Sequence, residues 1–292
     1  MLRGCFVASV TPMRDGRVDE SALERHFEWL IESGVHGLVP CGTTGEAATL
    51  DADERKRVIS LAVKVSGGKV PVVAGAGTNS TDKTIRMTKE SKDWGADAAL
   101  LVTPYYNKPT QEGLFRHFSS VAQAVDIPLV LYNVPGRTGV NMLPETVRRL
   151  ADLPQVAAVK EASGTIHQTI QIRSTAPGLD VLSGDDNMYL PHLAVGAQGI
   201  ISVLANLAPK AWSELYNLFN GGDFGGAQEI FLRLFPACQG MFLETNPIPV
   251  KTGLGLMGRI DPELRLPLAP MADSNRDKLE LILRETGILE AR

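Results

Sequence analysis

Eight short apolar runs recur along the chain, and their number and spacing limit the folds that it can adopt. Each run is apolar or β-branched on both faces and is closed by Gly, Ser, Thr, Asn or Pro, which is typical of strands buried in a parallel sheet. The runs are CFVASV from residue 5, HGLVPCG from 36, PVVAGAG from 71, DAALLVT from 97, IPLVLYNV from 127, VAAVKEAS from 156, DVLSG from 180 and QGIISVLAN from 198.

Amphipathic stretches separate these runs. DESALERHFEWLIESG from residue 19 and DADERKRVISLAVKVSGG from residue 51 place apolar side chains at helical spacing, with acidic first turns and glycine stops. Strand and helix therefore alternate eight times, and right-handed crossovers turn such a series into either a closed (β/α)8 barrel or an open doubly wound sheet. Eight units within residues 1–222 favour the barrel, so we predict an α/β protein of the TIM-barrel class.

The strand pattern stops after Asn206, and the remaining segments have helical periodicity. These segments are KAWSELYNLF from residue 210, AQEIFLRLFPACQGMFLE from 227 and RDKLELILRETG from 276. We therefore predict two regions. Residues 1–222 form the barrel that carries the active site, and residues 223–292 form a C-terminal helical region.

Composition excludes several classes of partner. A formal net charge of -4 provides no basic surface for nucleic acid, and no lysine or arginine block indicates an anionic membrane. No run approaches the roughly 18 apolar residues of a membrane span. The N-terminal segment MLRGCFVASVTPMRD has too few apolar residues for a secretory signal. The three cysteines have no CxxC spacing. We expect a cytoplasmic protein with small-molecule or protein partners and no nucleic-acid or membrane partner.

Polar side chains gather where the predicted strands end, which is where this barrel class builds its active sites. The second, fourth, fifth, sixth and seventh strands end in CGTTGE, TPYYNKPT, YNVPGRTG, VAAVKEAS and SGDD. One rim thus collects two threonines, three tyrosines, an arginine and a lysine: Thr43, Thr44, Tyr105, Tyr106, Tyr132, Arg137 and Lys160.

Lys160 is the least expected residue of this set, because it interrupts an apolar strand. Strand alternation places Ala158 and Lys160 on one face and Val159 and Glu161 on the other, so Lys160 points into the barrel if Val159 faces the helices. A free lysine is neutral in only about one molecule in 2500 at pH 7. Desolvation raises that fraction, as an amine nucleophile toward a ketone requires. The competing interpretation is a lysine that snorkels to solvent.

The other rim residues also have ordinary interpretations. Tyr105 and Tyr106 are equally consistent with surface or interface aromatics, and Arg137 alone is consistent with a surface ion pair. Asp185 and Asp186 resemble a paired-carboxylate site, but capping of the following helix is the favoured interpretation.

Signals for cofactors and metals are weak. GLGLMG at 253–258 matches the dinucleotide pattern GxGxxG, but it follows the proline-rich NPIPVK rather than a strand, which favours a closely packed helix. The five histidines lack metal-binding spacing. We predict no cofactor and no metal for the chemistry.

With these residues in place, the chain resembles the dihydrodipicolinate synthase family, within the wider superfamily of lysine-dependent aldolases and lyases. The resemblance runs from VASVTPM at residue 7 through GTTGEAATL, LLVTPYYNKPTQEG, YNVPGRTG, VKEASG, LSGDD and GIISV to ETNPIPVKTGL and LRLPL. GTTGE, YYNKPT, YNVPGRT and NPIPVK in this order are specific together, although each alone is modest. The resemblance implies a condensation of pyruvate with L-aspartate 4-semialdehyde in lysine and diaminopimelate biosynthesis.

The resemblance also implies catalytic roles. Lys160 is expected to form the Schiff base with pyruvate, and Tyr132 beside it to act as the acid and base. Thr43 is expected to link Tyr132 to Tyr106, which the neighbouring subunit would supply. The implied assembly is a homotetramer built as a dimer of dimers.

Four further residues match substrate-binding positions of the family. Thr44 is expected to hold the pyruvate carboxylate and Arg137 the carboxylate of the aldehyde, while Gly184 and Ile201 are expected to line the pocket. Arg137 separates this reading from relatives such as N-acetylneuraminate lyase and 2-keto-3-deoxygluconate aldolase, which typically lack GRT at this place. A bidentate guanidinium suits a short anionic aldehyde. A non-catalytic metabolite-binding barrel is the alternative from another class.

One departure from the family concerns feedback by lysine. Many relatives bind lysine at a dimer interface through an acidic residue and histidines, whereas the matching positions here are Ala52, Arg55 and Lys83. Asn79 and Tyr105 are retained. Because cationic Lys83 would repel the ligand amine, we expect weak or absent lysine feedback.

Overall fold

The computed structural model describes residues 2–290, and its centre is a barrel of eight parallel strands with helices around it. The barrel strands are β1 (Gly4–Ala8), β4 (Gly37–Val39), β5 (Val73–Gly75), β6 (Ala98–Val102), β7 (Leu129–Asn133), β8 (Val156–Glu161), β9 (Asp180–Ser183) and β10 (Gly199–Ser202). A small antiparallel pair, β2 (Met13–Arg14) and β3 (Arg17–Val18), precedes the first helix. Each of the eight predicted runs overlaps one barrel strand.

Strand pairing distinguishes the barrel from an open sheet. The strands lie in the order β4-β1-β10-β9-β8-β7-β6-β5, so neighbours in the chain are neighbours in space except where β10 returns to β1. A parallel bridge between Leu38 and Val72 joins the two ends of this series, and the Leu38 amide donates to the Pro71 carbonyl at 3.0 Å. The predicted (β/α)8 barrel is confirmed.

Helices alternate with the strands and continue beyond the last one. They are α1 (Glu20–Glu32), α2 (Ala52–Ser66), α3 (Thr81–Asp93), α4 (Gln111–Ala124), α5 (Pro135–Thr138), α6 (Pro144–Leu150), α7 (Ile166–Thr175), α8 (Tyr189–Ala194), α9 (Pro209–Asn220), α10 (Phe224–Gly240), α11 (Ile248–Leu256) and α12 (Asp273–Glu285). Local chemistry sets their ends. Asp51 and Glu54 form a capping box at the start of α2, and Gly67 ends that helix with a left-handed φ of 51°.

Side-chain alternation divides the buried residues into an inner and an outer set. Ala158 packs inside the barrel, whereas Val159 packs among the helices. The inner set is mostly small and branched and fills the barrel below the active-site rim: Phe6, Ala8, Val39, Val73, Ala98, Leu100, Val130, Ala158, Leu182 and Ile201. The barrel is therefore a packed core rather than a pore.

The C-terminal helices pack on the barrel and return to its rim. α10 lies against α9, and α11 brings Lys251 to Glu46 on the loop after β4. The division at residue 222 stays a prediction. GLGLMG lies at the end of α11, where a Cβ at Gly253 would approach Leu207 Cδ1 to 2.9 Å. A Cβ at Gly255 would likewise lie 3.0 Å from Pro262, so Gly253 and Gly255 serve close packing of the helix, as expected.

Within residues 2–290, no helix combines the length and the apolar character that crossing a membrane requires.

Candidate active site

Tyr132 and Lys160 lie side by side at the ends of two neighbouring strands. They are register partners on β7 and β8, and the Nζ atom of Lys160 lies 4.2 Å from the centre of the Tyr132 ring. The Lys160 side chain is buried, with the residue 5 % exposed, which excludes the snorkelling interpretation. Alternation along β8 thus directs the amine inward, to the same face as Ala158.

Burial makes this amine easier to deprotonate. Desolvation lowers the pKa of Lys160 from 10.5 to about 8, because an ammonium group loses hydration in the barrel. The negative charge of Asp186 opposes the shift, and the positive charge of Arg137 reinforces it. No ion pair to Lys160 is formed within the described part of the chain. A substantial fraction of the amine is therefore neutral near physiological pH.

Gly184 supplies the space that the lysine occupies. A Cβ at Gly184 would lie 3.0 Å from Cε of Lys160 and 2.7 Å from Cβ of Ala162. Any larger residue would push the amine from its position beside Tyr132. Ile201, the other predicted pocket residue, is buried in the barrel interior on β10.

Tyr132 is placed to hold a proton next to the amine. Its hydroxyl forms a hydrogen bond with the Thr43 side chain. Burial raises the pKa of Tyr132 to about 12, although Arg137 and the Thr43 hydrogen bond both act to lower it. The phenol is thus protonated at neutral pH and available as a proton donor.

Asn246 connects two more of the predicted residues. Its Nδ2 donates to Oγ1 of Thr44 at 3.0 Å, and its main-chain carbonyl accepts from Nη2 of Arg137 at 3.1 Å. Asn246 was not predicted as a site residue. The only sequence signal was its place in the NPIPVK segment, which periodicity does not connect to the strand ends.

A cavity opens above these groups. Its volume is about 720 Å³, and Thr43, Tyr132, Arg137 and Asn246 line it. The other predicted site residues do not line it. The cavity continues past Tyr105 to the residues predicted to govern lysine feedback, which are Ala52, Arg55 and Lys83.

Tyr106 lies apart from the other predicted catalytic residues of its own chain. It is 92 % exposed and has a left-handed φ of 72°. Tyr105 is 41 % exposed but lines the cavity. The expected link from Thr43 to Tyr106 is therefore not formed within one chain, and it stays a prediction.

Asp185 and Asp186 do not act as a pair. Asp185 caps the following turn by accepting from the Asn187 amide at 3.0 Å, as predicted. Asp186 does not cap that turn, and its expected role was wrong: it is buried and accepts hydrogen bonds from Ser202, Trp212 and the amides of Val203 and Leu204. Burial raises the pKa of Asp186, and these donors oppose the rise.

Three of the five histidines are buried. Burial lowers the pKa values of His26, His117 and His192 to about 4, so all three are neutral at pH 7. Residues 2–290 contain no group of three or more His, Cys, Asp or Glu side chains that could hold a metal ion.

Comparisons with known proteins agree over nearly the whole chain. Residues 1–286 match the model of the Dihydrodipicolinate synthetase family. The 4-hydroxy-tetrahydrodipicolinate synthase of Thermodesulfovibrio yellowstonii is 52 % identical over 291 residues, which are 99 % of this chain and 100 % of that relative.

Two solved structures show the same likeness. The chloride-inhibited dihydrodipicolinate synthase of Acinetobacter baumannii in complex with pyruvate is 45 % identical, with a TM-score of 0.97 and coverage of 99 % of this chain and 100 % of that one. The dihydrodipicolinate synthase of Thermotoga maritima is 44 % identical, with the same TM-score and the same coverage.

Proposed function

We infer the mechanism from one premise: the chain belongs to the dihydrodipicolinate synthetase family. It is an enzyme of the lyase class, and its reaction is that of the 4-hydroxy-tetrahydrodipicolinate synthases in lysine and diaminopimelate biosynthesis. The family condenses pyruvate with L-aspartate 4-semialdehyde.

Lys160 is proposed as the nucleophile. Its neutral amine attacks the keto carbon of pyruvate to give a carbinolamine, and loss of water leaves an imine on Nζ. Loss of a methyl proton converts the imine to an enamine, whose terminal carbon attacks the aldehyde carbon of the second substrate. The amine of that substrate then adds to the imine carbon, closes the ring and releases Lys160.

Tyr132 is proposed to move the protons of these steps. Its phenol donates the proton that the carbinolamine hydroxyl needs to leave as water, and the phenolate formed can take a proton back. Thr43, hydrogen-bonded to Tyr132, would pass protons to Tyr106 of a neighbouring subunit. The exposed ring of Tyr106 supports this assignment, because within its own chain it reaches no site residue.

Two residues are proposed to bind the two carboxylates. Thr44 would hold the carboxylate of pyruvate, and Arg137 the carboxylate of the aldehyde, which a guanidinium can bind through two hydrogen bonds. Gly184 and Ile201 would shape the pocket around the imine. The pyruvate complex of the Acinetobacter baumannii relative supports pyruvate as the first substrate here.

The exposed aromatic residue also bears on assembly. We propose a homotetramer made of two tight dimers, with Tyr106 crossing each tight interface, and a cytoplasmic location. Sedimentation of the wild type and of Tyr106→Phe tests the assembly. Activity restored by mixing Tyr106→Phe with Lys160→Ala subunits would show sharing, whereas no restoration in mixed oligomers would refute it.

The observation that carries the proposed function is the buried, unpaired amine of Lys160 beside Tyr132. The test is a comparison of aldehydes after pyruvate is added. We expect L-aspartate 4-semialdehyde to be consumed far faster than N-acetylmannosamine or glyceraldehyde. Faster consumption of a sugar-derived aldehyde would contradict the assignment of Arg137.

A further inference from the structure

Asn246 joins two parts of the site that lie far apart in sequence. It is 5 % exposed and stands two residues before α11. Through its side chain it contacts Thr44, 202 residues away, and through its main-chain carbonyl it contacts Arg137, 109 residues away. These are the groups proposed to bind the carboxylates of the two substrates.

The Asn246 side chain determines where the Thr44 proton can point. A hydroxyl has one proton to donate and two lone pairs to accept with. Because Nδ2 of Asn246 donates to Oγ1 of Thr44, that bond uses a lone pair and leaves the Thr44 proton free. Within residues 2–290 the Thr44 hydroxyl donates no hydrogen bond, and Oδ1 of Asn246 is likewise buried without a partner. A pyruvate carboxylate oxygen would be an acceptor for the Thr44 proton.

A buried ion pair holds the same two segments together. Nζ of Lys251 in α11 lies 2.6 Å from Oε1 of Glu46, two residues after Thr44, and their side chains are 0 % and 1 % exposed. Lys251 also donates to the Thr11 carbonyl at 3.1 Å. Asn246 and Thr44 are thus fixed against each other by a contact that does not involve either of them.

We propose that Asn246 is a positioning residue for pyruvate: it directs the Thr44 hydroxyl proton toward the substrate carboxylate. The C-terminal segment around Asn246 therefore completes the pyruvate site. This inference rests on the proposed function, since it needs Thr44 to bind pyruvate.

Two substitutions at Asn246 test the proposal. The size of each increase in the pyruvate KM, and which variant shows the larger increase, are both predicted. Asn246→Ala removes the donor, and we expect the KM for pyruvate to rise about tenfold. The KM for the aldehyde should stay within about twofold, because the main-chain carbonyl that contacts Arg137 survives the substitution. Asn246→Asp is nearly isosteric but accepts the Thr44 proton and adds a charge beside the carboxylate. Its pyruvate KM should rise about a hundredfold.

The controls separate positioning from general damage. Asn217→Asp makes the same chemical change on α9, where Asn217 contacts His36, and should leave both KM values unchanged. A double-mutant cycle with Thr44→Val should show that Asn246→Ala has no further effect on the pyruvate KM once the hydroxyl is gone. Independent effects in the cycle, or an Asn246→Asp enzyme with a normal pyruvate KM, would overturn the proposal. If one Asn246 variant does not fold, the pyruvate KM of the other still tests the proposal.

Failure of this proposal differs visibly from failure of the proposed function. Wild-type protein treated with pyruvate and borohydride should carry a carboxyethyl group on Lys160. If the group is present and the Asn246 variants behave as wild type, only the positioning role is wrong. If the group is absent from wild type, the proposed function is wrong, and the role of Asn246 fails with it.

Discussion

Two buried lysines in this molecule have opposite surroundings. Lys251 is 0 % exposed and forms an ion pair with Glu46 at 2.6 Å, whereas Lys160 is 5 % exposed and lies over the ring of Tyr132 without an ion pair in the described chain. Burial lowers the pKa of both amines. For Lys251 the Glu46 carboxylate counteracts the loss of hydration, while for Lys160 the pKa falls to about 8.

The difference shows that the partner, and not burial alone, decides what a buried lysine does. Lys251 donates to the Glu46 carboxylate and connects α11 to the turn after β4. Among residues 2–290 no carboxylate forms an ion pair with Lys160, and the Tyr132 phenol lies beside its amine. A buried charge without a partner costs stability, so the reactive lysine should destabilise the fold and the paired one should not.

Activity should show the largest contrast. Lys160→Met removes the nucleophile, and we expect kcat to fall by at least about a thousandfold. Lys251→Met retains the nucleophile, so its folded fraction should still form the pyruvyl imine. Borohydride trapping and steady-state kinetics measure both. Substantial turnover by Lys160→Met would show that Lys160 is not the nucleophile.

Stability should respond most to the paired lysine. Lys251→Met leaves the Glu46 carboxylate buried without its partner, which should cost about 3–5 kcal/mol of unfolding free energy. Replacing both residues, with Glu46→Gln added, should recover part of that loss. Urea denaturation of the two variants measures the effect, and a loss under about 1 kcal/mol for Lys251→Met would show that the pair is not critical.

Lys160→Met should change the unfolding free energy in the opposite direction and make the protein more stable. The pKa of Lys160 is lowered in the folded state, so below pH 8 the ammonium is present in both states and its burial cost is fully felt. The cost disappears as pH rises from about 8 toward 10.4, where the folded amine is neutral. We expect the variant to be more stable by about 3 kcal/mol at pH 7 and by little at pH 10. Reduced stability at pH 7 would contradict this.

A third lysine, Lys83, should produce the smallest effect. It is exposed on α3 and lines the cavity together with Arg55, whose Nη2 donates to the Gly75 carbonyl at 3.0 Å. By the family resemblance, Arg55 and Lys83 match positions that bind the inhibitor lysine in many relatives, and their positive charges should repel its amine. Added lysine should therefore hardly inhibit. Initial rates over a lysine series test this, and strong inhibition below about 1 mM would contradict it. If the Lys83→Glu variant becomes inhibited by lysine, the positive charge of Lys83 is what prevents inhibition in the wild type.

Sequence reasoning succeeded where the rules are local. Alternation along one strand and the position of strand ends suffice to point Lys160 into the barrel and to place it on the same rim as Tyr132. That the two side chains are neighbours was implied by the family resemblance. The same rules could not place Asn246 or Lys251, because their contacts span 202 and 205 residues and depend on how the last helices return to the rim. Asp186 was assigned a local cap because the backbone amides that donate to it lie just beyond β10, outside the range that a motif covers.

The most direct test of the central claim is the pH dependence of borohydride trapping with pyruvate, with the modified lysines identified by mass spectrometry. We expect modification at Lys160, with a rate that rises with pH and reaches half its limit near pH 8, and no modification at Lys251. Modification that rises only near pH 10.4, the value for an unperturbed lysine, or that occurs on a different lysine would contradict it.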